Sequence, residues 1–239
     1  MNKRILVIGS IIVLVVLLTG AGIWWKNLHP AREVVLRKDL PPAPADYQSL
    51  NPDPKVEAGL KEDLKVRYQK EFGVSLEKIK QHPDSFQAWI DLGFIKFTFG
   101  DYKGAEDAWL YAGKISPNQP RSFMNLGNLY ANILHDYARA EWAYQTAIEK
   151  DPTYIPAYRD LSTMLWFSVP GRSYDALKLL QQGFGANRDS GLELLALAGT
   201  WSEQSGDIKN AIGYYEQYLK FKPDSEPIQK ELARLKGKL

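Results

Sequence analysis

From Trp89 onward the sequence repeats itself. Trp89 is followed after 34 residues by Phe123, after 35 more by Tyr158 and after 37 more by Leu195, and each opens an apolar stretch with helical spacing. Small residues keep the same rhythm. Ala105, Ala140, Ala176 and Ala211 stand 35, 36 and 35 apart, and the bulky Trp109, Tyr144, Leu180 and Tyr215 each follow by four. A period of about 34 residues built from two helices cannot bury its apolar face alone, so successive copies stack in line and share one continuous core. The expected fold is an all-α solenoid.

The copies resemble tetratricopeptide repeats, whose pattern is W-x2-L-G-x2-Y, then A-x3-F, then P. The first has Trp89, Leu92, Gly93, Gly100-Asp101-Tyr102, Ala105, Trp109, Ala112 and Pro117, departing at Lys96 where an aromatic is usual. The second has Phe123, Leu126, Gly127, Tyr130, Asp136-Tyr137, Ala140, Tyr144, Ala147 and Pro152, with one residue inserted in its turn. The third is degenerate: Tyr158, Leu161, Leu165, Tyr174, Ala176 and Leu180 fit, but Ser162 replaces the glycine and Val169-Pro170-Gly171-Arg172 lengthens the turn. The fourth keeps Gly199, Gly206-Asp207, Ala211, Tyr215 and Pro223. The resemblance implies a right-handed α-solenoid of about four helical hairpins over residues 86–225. Ile228, Leu232 and Leu235 form one apolar stripe on a C-terminal capping helix, 226–239, polar on its outer side. Asp84 with Gln87, and Ser190 with Glu193, have capping-box spacing.

Before the repeats come three different segments. Residues 1–4 form a short basic tail with Lys3 and Arg4, and Ile5 to Trp25 carry no charge. As a helix that run reaches about 31 Å, the thickness of a bilayer's hydrocarbon core, and Trp24 and Trp25 close it where aromatic rings favour the headgroup layer. The reading is a transmembrane helix at 5–25 acting as a signal-anchor. A cleaved signal is the competing reading, with small residues at Thr19-Gly20-Ala21-Gly22. Flanking charge does not fix the orientation; the basic tail and the long following domain favour a single-pass membrane protein with its soluble domain on the extracytoplasmic side. Residues 26–55 read as a juxtamembrane segment and Pro-rich spacer, with Pro41, Pro42, Pro44, Pro52 and Pro54 opposing a helix. Residues 56–85 read as two lead-in helices, Glu57 to Phe72 and Ser75 to Gln81.

The residues offer little chemistry. His29, His82 and His135 are isolated from one another, there is no cysteine, and no phosphate-binding or nucleotide-binding glycine motif or nucleophile elbow occurs. No catalytic, metal or cofactor residues are assigned, and no enzyme activity is expected. From Glu57 onward 23 basic residues face 24 acidic ones, so nothing calls for nucleic acid.

In the resembled family the first helix of each repeat lines the concave face, so the residues one step from its signature positions are the candidate protein-binding groove. They are Ile90, Phe94 and Phe97 in the first copy and Met124, Asn128 and Ala131 in the second. The third offers Arg159, Thr163 and Trp166 with Phe167 beside it, and the fourth Ala196, Thr200 and Glu203. The grade from aromatic to polar suits a partly apolar peptide or helix. The opposing reading has the lead-in helices folding back over Phe94 and Phe97. Some family members hold a C-terminal carboxylate with Lys and Asn at places that are Ile90 and Phe94 here, so that clamp is not expected. The function these readings favour is a membrane-anchored scaffold or adaptor binding a protein or peptide of an envelope complex, such as secretion, pilus or cytochrome-assembly machinery. Self-assembly into homo-oligomers and an unrecognised enzyme are the alternatives.

Overall fold

The computed structural model describes residues 40–238, which contain eleven α-helices and no strand. The expected tail (1–4), transmembrane helix (5–25) and juxtamembrane residues 26–39 lie outside the described residues. Among those described, no helix is long and apolar enough to cross a membrane.

Two helices lead in, α1 (Pro54–Gly59) and α2 (Glu62–Gln81). Four hairpins follow: α3 (Phe86–Thr98) with α4 (Tyr102–Ile115), α5 (Pro120–Asn132) with α6 (Tyr137–Lys150), α7 (Ile155–Ser168) with α8 (Ser173–Ala186), and α9 (Leu192–Gln204) with α10 (Ile208–Phe221). The closing helix is α11 (Glu226–Lys236). From α2 onward each helix packs on the next in the chain, most extensively within the hairpins, as expected for a solenoid.

Close approach within a hairpin depends on the repeat glycine. A Cβ added at Gly93, Gly127 or Gly199 would overlap the ring of Trp109, Tyr144 or Tyr215. In the third hairpin Ser162 stands in the glycine's place and Leu180 in the ring's, both fully buried. The smaller leucine leaves room for the serine, whose hydroxyl has no hydrogen-bond partner.

Every hairpin turn passes through the left-handed region, at Gly100, His135, Gly171 and Gly206. His135, the non-glycine, places its ring Nδ1 3.2 Å from the carbonyl of Ala131. In three hairpins the next residue is an aspartate that caps the second helix: Asp101 accepts from Gly104 N, Asp136 from Arg139 N and Asp207 from Asn210 N. The third hairpin has Arg172 there, which reaches Glu141 of α6 at 3.0 Å and pairs with Asp175. Its bonds to these carboxylates, Glu141 foremost, raise its pKa. The long turn is thus pinned sideways to the preceding hairpin.

Several expectations need correction. Glu62–Gln81 is one helix through Gly73, not two. The cap of α3 is Ser85, accepting from Ala88 N, rather than Asp84. No side chain caps α9, whose N-cap is Gly191.

The larger correction is the Pro-rich spacer, whose residues 40–53 lie against the array as a strap. Leu40 and Tyr47 pack on the core, Tyr47 sits 5.1 Å from the Trp89 ring, and the Tyr111 hydroxyl donates to Pro41 O at 3.0 Å. Asp53 N donates to Phe99 O, and the Asp53 carboxylate caps α1, which Pro54 opens. At the centre is Lys96, 1 % exposed, paired at 2.8 Å with Asp101, 6 % exposed. The lysine also donates to Ser49 O and lies 5.8 Å from the Phe72 ring of α2, while Asp101 accepts from Asn51 N at 3.3 Å. The departure from the repeat pattern at Lys96 therefore has a partner, and the partner is the strap.

Candidate functional site

A helix turns about 100° per residue, so residues one and eight steps beyond a buried signature ring lie only about 80–100° from it, whereas those at +2, +5 and +9 lie opposite. This explains how the structure divides the expected groove. Ile90 is buried, its carbonyl accepting from Trp109 Nε1 at 3.3 Å, and Phe97 packs 5.6 Å from Tyr102 and 5.9 Å from Trp109. Met124 and Ala131 are buried as well. Ile90, Phe97 and Met124 pack into the array, whereas Ala131, though buried, still lines the space between α5 and α7. Trp166 is half-buried, stacked on Trp201 of α9 at 5.0 Å.

The open face runs along a different row. It comprises Asp91, Phe94 and Thr98 on α3; Asn125, Asn128 and Asn132 on α5; Asp160, Thr163 and Phe167 on α7; and Leu197, Thr200 and Gln204 on α9. Of the expected residues, Phe94 (50 % exposed), Asn128, Thr163, Phe167 (66 % exposed) and Thr200 belong to it. Arg159 is exposed at its edge, paired with Asp160 at 3.0 Å and with Glu193 of α9 at 3.5 Å. Glu203 faces the C-terminal cap, where Arg234 of α11 binds it at 2.6 Å and Lys238, just past the helix, at 3.1 Å. Tyr68 of α2 meets Phe94 edge-on at 6.1 Å but leaves half of it open, and Phe97 is covered by its own hairpin rather than by α2. Asp91, Asn125, Asn132 and Asp160 were missed. Their signal was a polar residue two steps after each of the signature rings Trp89, Phe123 and Tyr158, with Asn132 nine steps after the second.

Between α5 and α7 this row borders a trough of about 250 Å³ lined by Asn128, Asn132, Tyr144, Asp160, Thr163 and Phe167, together with Ala131, Met164 and Ser168. The Tyr144 hydroxyl donates to Asn128 Oδ1 at 2.7 Å, which fixes that amide and leaves its NH2 group for a ligand. Burial raises the Tyr144 pKa, with the Asp160 charge adding to it, so the phenol stays a neutral donor. Asparagine is a poor helix former, and three on one face of α5 do nothing for the helix itself. Amides, hydroxyls, one carboxylate and an aromatic wall can hydrogen-bond a peptide backbone and take up an apolar side chain. Among the described residues no cluster of His, Cys, Asp or Glu could hold a metal ion.

No protein-family profile and no curated protein matches the chain in sequence. Solved structures do match in fold. MamA is 16% identical, with 72% of this chain covering 95% of that one at a TM-score of 0.52. YrrB, described as a TPR protein with an unusual peptide-binding site, is 16% identical over 74% of this chain and 87% of its own, at 0.49. TTC0263, a thermophilic TPR protein in Thermus thermophilus, is 15% identical over 75% and 96%, at 0.47. In its described residues the chain thus shares the stacked helical-hairpin fold of MamA, the architecture its repeat signature implies.

Proposed function

We propose that this chain is a protein-interaction scaffold that binds a peptide or helix along the row running from Phe94 to Phe167, tethered to a membrane by its apolar N-terminal segment. The observation that carries the reading is the asparagine face of α5, exposed or half-exposed between two outward aromatic residues and opening on the α5–α7 trough. The apolar run 5–25 and its flanking tryptophans support the tether, and the basic tail supports an extracytoplasmic domain serving an envelope complex. The row collects hydrogen-bonding groups without a nucleophile–base pair, which favours binding over catalysis.

Photo-crosslinking in native membranes tests this. A photoreactive residue at Asn132 or Thr163 should give a discrete adduct, and one at Gln145, exposed on α6, should not. Equal labelling at all three positions would refute the groove. A soluble product beginning near Gly22 or Ile23 would replace the tether with a cleaved signal.

A further inference from the structure

The N-terminal end of the row opens into a second and larger cleft, about 500 Å³, between α2 and α3. Its apolar surface is Val74 (45 % exposed) and Phe94, and its charged groups are Arg67, Lys70, Glu71, Lys78 and Asp91. Both carboxylates are engaged: Glu71 pairs with Arg67 at 3.6 Å, and Asp91 accepts from Gln87 Nε2 at 2.5 Å. Lys70 and Lys78 have no anionic partner among the described residues. They stand four residues either side of Val74, on one face of α2 and about 12 Å apart along its axis.

Two free ammonium groups flanking an exposed valine, with a half-exposed phenylalanine opposite, form a pattern with a definite complement. We infer that this cleft takes an acidic, amphipathic peptide segment of a protein partner, an apolar side chain seated between Val74 and Phe94 and a carboxylate on either side reaching Lys70 and Lys78. The inference rests on the binding row proposed above and names the chemistry of its ligand at that end. The sequence of residues 1–39 lacks that chemistry, because Lys3, Arg4, Lys26, Arg32, Arg37 and Lys38 outnumber Glu33 and Asp39. An anionic bilayer fits less well. The apolar contact lies in a cleft with Phe94 on its far wall, and α2 carries Glu62, Asp63, Glu71 and Glu77 among its cations.

The probes are two fluorescein-labelled alanine-based peptides, one bearing Glu-x3-Leu-x3-Glu and its twin Lys-x3-Leu-x3-Lys. Their anisotropy is read against the full-length chain in detergent at low and high salt. The acidic peptide should bind about tenfold more tightly than its twin, the preference fading with salt. Lys70→Glu with Lys78→Glu, both at exposed positions, should reverse the preference at unchanged helicity. Equal binding of the twins, binding of neither, or an acidic preference that survives charge reversal would overturn the inference. So would sedimentation with anionic vesicles lost in the same variant, which would assign the lysines to lipid. Crosslinks at Asn132 and Thr163 report the row independently, so their persistence alongside a failed peptide preference would reject the cleft alone.

Discussion

The two ends of the array solve one problem in opposite ways. A stack of hairpins leaves its first and last faces open, and each must be covered for the stack to end in water. At the C-terminal end α11 does this with an apolar stripe, Leu235 fully buried and Ile228 and Leu232 partly so, and with ion pairs at the surface, Arg234 and Lys238 to Glu203 and Lys236 to Glu216. At the N-terminal end α2 packs on α3, and beside it the helix-free strap of residues 40–53 lies over Trp89 and Tyr111, locked by a buried Lys96–Asp101 pair. The C-terminal cap tolerates approximation, because exposed pairs contribute little. The N-terminal lock does not, since removing one member strands a buried charge.

The largest effect should come from a chain beginning at Lys55, which deprives Trp89, Tyr111, Lys96 and Asp101 of the strap together. We expect it to stay helical but to lose more than Asp101→Ala does in urea denaturation, with amide exchange accelerated in α3 and α4. Acceleration spread evenly to α9 and α10 would contradict the nearest-neighbour logic of the stack. Asp101→Ala alone removes the partner of Lys96, the cap of α4 and the acceptor for Asn51 N, and should cost about 3 kcal/mol or more. A loss below about 0.5 kcal/mol would place the N-terminal lock in the same class as the C-terminal surface pairs.

The smallest effect belongs to Arg234→Ala, for which we expect a Tm shift of about 2 °C or less. It also depends on pH. Hydrogen bonds from Arg234, then Lys238, hold the Glu203 carboxyl below its usual pKa of 4.5. A depressed folded-state pKa stabilises above the unfolded value, and the stabilisation is lost as pH falls through the folded one. The parent's advantage over Arg234→Ala, read by thermal melts, should therefore be present at neutral pH and vanish in strong acid. An advantage that grows on acidification would reverse the sign.

The hairpins were legible because their cores are local: Trp89, Leu92, Gly93, Ala105 and Trp109 declare one packing unit within a short span of sequence. The strap was not legible. Five prolines describe extended chain equally well when it is free and when it is docked, and the residue that decides, Lys96, lies 47 positions from the carbonyl it binds. Phase misplaced the exposed row in the same manner. Helical periodicity identified the exposed side of α3 to within one step, but one step is about 100°, enough to exchange Ile90 for Asp91. The cleft beside α2 was invisible for a third reason, since its walls come from two helices whose juxtaposition no single periodic stretch records.

The fit between Gly127 and the Tyr144 ring, set beside Ser162 and Leu180, bears on the order in which such a chain can change. A serine arriving first at a glycine site would collide with the ring above it. A leucine arriving first at the ring's place leaves a hole, a lesser fault that a neighbouring serine can then fill. Any passage from one arrangement to the other is steered through the hollow intermediate, toward the serine–leucine pair that the third hairpin holds.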